Sequence, residues 1–415
     1  MKLSIIFLPP LKSILTITIY IALAVAIYLI LDAFGFIHTI PNNNNLINWD
    51  GKWYSSIVEN GYVYIESMCN IAFFPLFPLI WKLTGFNPIN ISIFNFLIFL
   101  LSYLWILWGK NFSIISILFL LTLPSVIFFA LPYSESIFFL SSSLIIIGLD
   151  RQSTLLTCMG LFFSSLTRSV SIVFIPAIII THFLTKEKNW TKTILSISFS
   201  LLGTFTAVII QYLDTGHWFR FLQVQEYWGR KWQVISLPLT TFNTENILGV
   251  DAFGLIVGLL SFYYLMNILF SYRKKTVNSY NILKSDKGLI FSLLYMCAIT
   301  FIDCFFTTTL LDRTNIWSIN RHILATPYAF YFLLKILNSA PNKIDNSITI
   351  FIIFTGLLVT KLYSYPLQFL VYLILSFWLF KLKDEFIFPK IISLFIIIIY
   401  QIYFYQLFLS NKWVG

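Results

Sequence analysis

Apolar residues run for about 18 or more positions at a time along most of the chain, separated by short polar breaks. Runs of that length suit helices that cross a bilayer, because a hydrocarbon core of about 30 Å needs roughly 20 residues rising 1.5 Å each. The pattern predicts an all-α, polytopic helical membrane protein. The first span covers roughly Leu11 to Phe34. Others follow at about 90–108, 112–130, 134–149, 153–166, 169–184, 193–213, 252–272, 288–311, 323–338, 347–362, 366–380 and 388–409, about 13 transmembrane helices in all. Ala72 to Phe86 is apolar but interrupted by Pro75 and Pro78, so a re-entrant or interfacial hairpin is expected there instead of a clean span. The alternating ten-residue segments of an outer-membrane barrel are absent. No internal repeat is visible, and residues 1–415 read as one integral-membrane domain.

Composition agrees with the pattern: 11% of the 415 residues are charged, where a soluble protein carries about 25%. The net charge of +10 does not point to nucleic acid, since the Lys and Arg residues cluster in breaks between apolar runs, as in cytoplasmic loops. Cys69, Cys158, Cys297 and Cys304 form no CxxC pair, so neither a disulfide framework nor a zinc site is indicated. The run after Lys2 is too long for a removed signal peptide and reads as the first span. With a cytoplasmic N-terminus, alternating spans put most Lys and Arg residues inside, including Lys2, Lys12, Lys110, Lys186, Lys188, Lys275, Lys284, Lys335, Lys381 and Lys383. The same parity gathers Asp50, Glu135, Arg168, the 214–251 loop and Asp312 through His322 on the non-cytoplasmic side.

Each of these groups has a bland reading and a chemical one. Asp50 and Gly51 can cap a short amphipathic interfacial helix, with Trp53, Tyr54, Ile57 and Val58 on its apolar face and Gly61 closing it. A carboxylate fixed between aromatics at a membrane surface is also a candidate general base. Glu135 opens a span, where an acid suits the helix dipole or a functional site. Arg168 lies in an apolar region and requires a partner or an anion. Arg321 and His322 open another span, and arginine's planar fork suits a phosphate. Asp303, inside a span, is expected to pair internally or line a cavity. The 214–251 loop, with Trp218, Tyr227, Trp228 and Trp232, predicts an interfacial helix around Arg230 and Lys231.

Taken together, WDGKWYSSIVENGY, AFFPLFPL, LPSVIFFALPYSESIFFL, LTRS, FLQVQEYWGR and INRHILATPYAFYFL resemble the PIG-V family, the second mannosyltransferase of GPI-anchor assembly and its bacterial relatives. The motifs cover about residues 49–333, and the helices at about 347–409 carry none. The compact loops are closer to the prokaryotic relatives. The resemblance implies a GT-C glycosyltransferase. It would move a hexose, most often mannose, from an undecaprenyl- or dolichyl-phosphate donor to a lipid or glycan acceptor hydroxyl on the non-cytoplasmic face. It also implies a multi-pass protein of the plasma membrane in a prokaryote, or of the endoplasmic reticulum in a eukaryote. By position, Asp50 is the expected catalytic base. Arg321, His322, Arg168 and Arg230 are the candidates for the donor phosphate. Trp49, Trp53, Tyr54, Tyr133, Glu135, Gln225 and Trp228 are expected to contact substrate. The family's arginine-asparagine pair reads Arg168-Ser169 here, which sets this corner apart. No ligand spacing demands a metal or other cofactor, although Glu135 could orient a divalent cation. The alternatives are a lipid-linked sugar flippase or transporter, an oligosaccharide ligase or polymerase, and a scaffold subunit of a glycosylation complex. A transporter is expected to keep its polar groups near the bilayer midplane on repeated, broken helices.

Overall fold

The computed structural model describes residues 11–185, 187, 189–274, 286–339, 343–380 and 387–415. Lys2, Lys186, Lys188, Lys275, Lys284, Lys381 and Lys383, which carry part of the expected charge bias, lie outside them. The described chain is overwhelmingly helical, and its β structure consists of four two-residue strands.

The helices are α1 (Leu11–Ala33), α2 (Asp50–Asn60), α3 (Leu76–Thr84), α4 (Pro88–Leu107), α5 (Ile114–Thr122), α6 (Glu135–Asp150), α7 (Thr154–Thr167) and α8 (Ser171–Leu184). They continue with α9 (Trp190–Thr215), α10 (Arg220–Tyr227), α11 (Thr244–Lys274), α12 (Lys287–Phe305), α13 (Pro327–Leu337), α14 (Lys343–Thr360), α15 (Pro366–Phe377) and α16 (Ile387–Leu409). Six are long and apolar enough to cross a membrane among the described residues. The number becomes seven if the 3-10 segment Pro124–Ala130 and α6, bent by 103°, form one broken span. Five further apolar helices are 10–17 residues long. The chain is therefore a membrane-embedded helical protein.

Local sequence sets six of the helix starts. The side chains of Asn87, Ser113, Ser153, Asn189, Asp286 and Thr326 each accept a backbone N–H at the head of α4, α5, α7, α9, α12 and α13. Pro88 and Pro327 follow two of these caps at positions that need no donor. As the proline spacing predicts, Ala72 to Phe86 makes no span; it folds into a short 3-10 turn (Asn70–Ala72) and the nine-residue α3. The expected span at 112–130 is cut at Leu123–Pro124, where α5 gives way to the 3-10 segment.

Small and hydroxylic residues bring α6, α7 and α9 together. A Cβ on Gly203 would come within 2.2 Å of the Phe162 carbonyl oxygen, and one on Gly160 within 2.7 Å of the Ser141 carbonyl oxygen. Ser142 and Ser164 are 3.1 Å apart and Ser165 and Ser200 3.0 Å, closing hydrogen bonds between neighbouring helices. Close approach through small residues and polar contacts is how helices associate where the surrounding lipid is as apolar as the side chains. This packing fixes the two ends of α6, and a group of charges lies at each end.

Candidate functional site

Glu135 is the first residue of α6, and the sharp bend before it sets the start of this helix among polar groups from distant segments. Its side chain is fully buried, and Oε1 accepts from Arg168 Nη2 at 2.6 Å. The same oxygen accepts from Arg321 Nε. Arg321 also donates through Nη1 to Asp50 Oδ2 at 2.5 Å, so one guanidinium spans two carboxylates. The result is a chain of alternating charges, Asp50–Arg321–Glu135–Arg168. It is buried at Glu135 and Arg321 and opens to the surface at its ends, where Asp50 and Arg168 each have side chains 14% exposed.

Several elements hold this chain in place. Arg321 lies in a π-helical turn, Asn320–Leu324, and its guanidinium sits over the Tyr133 ring at 4.8 Å and the Phe128 ring at 5.6 Å. Asn95, a polar residue inside an apolar run, donates to the carbonyls of Leu131 (2.7 Å) and Tyr133 (3.0 Å) and fixes the bend before Glu135. The Asp50 N–H donates to the Tyr133 hydroxyl at 3.3 Å, which itself donates to the Asn48 carbonyl. Tyr54, buried on the inner face of α2, donates to Ser134 at 2.8 Å.

The amphipathic α2 is present as expected, with Tyr54 and Ile57 buried and Gly61 at its end with φ 74°. Its start differs from the capping expectation. Trp49, at φ 53°, holds the cap position, and Asp50 is the first helical residue with its side chain turned to Arg321. Arginine outcompetes the helix N–H groups here because it supplies a full charge. The interfacial helix expected around Arg230 and Lys231 is α10, which ends at Tyr227, before either of them. Gly229 (φ 74°) turns the chain, and Lys231–Trp232 (β1) then pairs antiparallel with Phe306–Thr307 (β2) at the end of α12. Thr309–Leu310 (β3) and Arg313–Thr314 (β4) form the adjoining hairpin.

That ladder positions the other two phosphate candidates. His322 does not join the arginine chain; its Nδ1 lies 3.0 Å from both oxygens of Asp303, the internal partner expected for that acid. Burial pushes the His322 imidazolium below its ordinary value, against the pull of Asp303. Arg230 stacks over Trp317 at 5.1 Å and makes no ion pair with any described residue. Burial lowers its guanidinium from the ordinary value, while Asp303 and Asp50 pull the other way. Of the three arginines, two are committed to carboxylates and Arg230 is not.

Aromatic side chains flank both sides of the charged chain. Trp53 packs against Trp228 (5.6 Å) and Phe73 (6.3 Å), joining α2 to the end of α10. Trp49 meets Trp413 edge-on at 5.0 Å, and Trp413 lies 5.4 Å from Trp317. The indole N–H groups of Trp49, Trp228 and Trp413, together with Glu135 Oε2, are buried without a hydrogen-bond partner among the described residues. Gln225 is not brought into the chain; its side-chain amide donates to the Phe221 carbonyl within α10.

Sequence reasoning missed Trp317, Trp413 and Asn95. Asn95 stands out as an amide in an apolar run, a signal that was there to use. Trp413 follows α16 in a region without a motif, so only the fold connects it to Trp49. Among the described residues, no group of three or more His, Cys, Asp and Glu side chains is close enough to hold a metal ion. No family model matches the chain, and no curated protein or solved structure matches it either.

Proposed function

We propose that this protein is a membrane glycosyltransferase that moves a hexose from a polyprenyl-phosphate donor to an acceptor hydroxyl. The observation that carries the reading is the Asp50–Arg321–Glu135–Arg168 chain. It ends in a half-buried carboxylate at one end of a membrane-embedded bundle, beside an uncommitted arginine and among tryptophans. Each part has work to do in such a transfer. Arg321 holds Asp50 through Oδ2 only, so Oδ1 is the oxygen offered to an acceptor hydroxyl. As the acceptor oxygen attacks the anomeric carbon, its proton passes to Asp50. The bond from that carbon to the phosphate oxygen breaks, and its electron pair leaves with the phosphate. A phosphate departs without a second acid, so one carboxylate suffices where a glycosidase needs two.

The leaving phosphate gains a negative charge, and its counter-charge must come from a cation not already neutralised. Arg230 meets that condition, while Arg168 and Arg321 are saturated by Glu135 and Asp50. A guanidinium aimed at developing charge in a site shielded from water stabilises the transition state more than the ground state. The tryptophans beside Asp50 offer apolar faces and indole donors to a sugar ring or to the first isoprene units. In the full proposal the short apolar helices also cross the bilayer, approaching the 13 spans of a GT-C architecture, and the site faces away from the cytoplasm.

The test is a transfer assay in membranes with labelled polyprenyl-phosphate hexoses. Asp50→Asn, inserted and folded as the parent, is expected to lose about 10²–10⁴-fold in kcat, the usual contribution of a general base. Transfer at the parental rate would remove Asp50 as the base. A parent protein that moves lipid-linked sugars across vesicles but transfers none would support the transporter reading.

A further inference from the structure

Asp251 lies in the first part of α11 and is fully buried. None of the cations among the described residues pairs with it. Its Oδ1 accepts two hydrogen bonds from one residue of the π-helical turn: the Asn320 backbone N–H at 3.2 Å and its side-chain Nδ2 at 2.6 Å. Asn320 immediately precedes Arg321. Three residues along α11, a Cβ on Gly254 would come within 3.1 Å of the Asn320 Cα, so helix and turn are in backbone contact. The turn that aims Arg321 at Asp50 and Glu135 is thus fastened to α11 through Asp251.

The second oxygen of this carboxyl explains its charge state. Asp251 Oδ2 and Thr241 Oγ1 are both fully enclosed, and the Thr241 hydroxyl lies beside the carboxyl. A bare carboxylate here would be a buried, uncompensated charge, which costs several kcal/mol even after relaxation, on the order of the penalty that drives such groups to neutrality. A proton on Oδ2 removes that charge, and the resulting O–H and the Thr241 hydroxyl are then each able to donate to the other. The ionisable groups facing Asp251 from other elements do not offset a negative charge: Asp303 on α12 is like-charged and Tyr400 on α16 is neutral. Arg321, next along the turn, is already shared by Asp50 and Glu135.

We propose that Asp251 is a positioning residue: a neutral, protonated carboxyl that donates to Thr241 and accepts from Asn320, holding the turn that presents Arg321. The aiming role rests on the transferase reading, whereas the proton on Asp251 does not. Two measurements on the full-length protein separate them. Infrared difference spectra between the parent and Asp251→Asn are expected to contain the carbonyl stretch of a protonated carboxyl, moving in D2O. Carboxylate bands in its place, or their appearance only on adding sodium or calcium chloride, would overturn the neutral assignment in favour of a cation-bound one.

In the transfer assay, Asp251→Leu is expected to lower kcat by about tenfold or more, with the donor KM within about twofold. Asp251→Asn, whose amide reproduces both hydrogen-bonding roles, is expected to restore kcat to within about threefold. Equal loss in the Asn and Leu variants would overturn the positioning role, as would a Leu variant of parental kcat. An Asn variant that fails to fold would do the same. If the parent transfers no sugar while the infrared band is present, the transferase reading fails and the protonated Asp251 stands.

Discussion

The two ends of α6 carry charged clusters of different construction. At Glu135, two carboxylates and two arginines form one chain in which Arg321 is shared and polar atoms remain without partners. At Asp150, roughly 22 Å away along a 16-residue helix rising 1.5 Å per residue, each cation has its own acid. Lys110 pairs with Asp150 at 2.7 Å, Lys335 with Asp286 at 2.8 Å, and Lys287 with Glu187. The Tyr331 hydroxyl lies 2.8 Å from Asp150 and 2.9 Å from Asp286, and its ring lies under Lys110 at 4.0 Å. Asp286 additionally caps α12. A cavity of about 460 Å³ opens beside these residues. Its size alone would attract attention, yet its charges are already answered by one another. The smaller and drier cluster is the one with spare valence. Under the transferase proposal, the network at Asp150 holds helices and the one at Glu135, with its shared cation and orphan polar atoms, is the one that receives a substrate.

The contrast is sharpest under charge removal. Arg321→Ala is expected to destabilise the protein by about 3–5 kcal/mol, since it leaves Asp50 without its cation and the completely buried Glu135 with Arg168 alone. Lys110→Met should cost less than about 1 kcal/mol, because its pair is partly solvated. Thermal unfolding in one detergent, read for both variants, checks this, and equal costs would erase the distinction between the ends.

Next comes the arginine without an acid. Arg230→Ala should leave the unfolding temperature close to the parent's while lowering kcat about 10–100-fold, the equivalent of a charge-assisted hydrogen bond lost in the transition state. A large stability loss with unchanged kinetics would make it a structural residue like those at the other end. Tyr331→Phe removes the hydroxyl between Asp150 and Asp286; stability should fall by about 1 kcal/mol with transfer unaffected. A transfer defect would show that the second cluster communicates with the first.

The smallest effect concerns pH. The Lys287 ammonium, through its hydrogen bond, holds the Glu187 carboxyl below the ordinary 4.5. A depressed folded value means the contribution is complete above the unfolded value and is lost as pH falls through the folded one. Lys287→Met should therefore flatten the acid side of the stability profile by less than about 1 kcal/mol. No change would mean that the pair is ornamental in solution.

The helical class and most helix positions were legible because long apolar runs and capping residues are local signals. Asp50, Glu135, Arg168 and Arg321 could each be singled out from the chain, since a charge beside an apolar run must find an answer. Which charge answers which could not be read, because the pairs join residues 33, 186 and 271 positions apart. His322 was read with its neighbour Arg321, yet adjacent residues of a π-helical turn point different ways and Asp303 captured it. Asp251 looked like the end of a loop and is in fact inside α11, because Thr244 and the residues after it extend the helix beyond its apolar stretch. The cluster at Asp150 escaped notice for a further reason: its members are ordinary helix-end charges whose convergence depends on helix packing alone.

The shared guanidinium of Arg321 has a consequence for biogenesis. A ribosome delivers Glu135 and Arg168 within a short interval, so their pair can form while the chain is still being made. Asp50 emerges first, and its partner in the structure, Arg321, follows 271 residues later. The chain of charges is thus completed by a late arrival, and for most of synthesis its first acid lacks that partner. Nascent chains halted before residue 321 should expose Asp50 to carboxyl-directed reagents, and full-length chains should protect it.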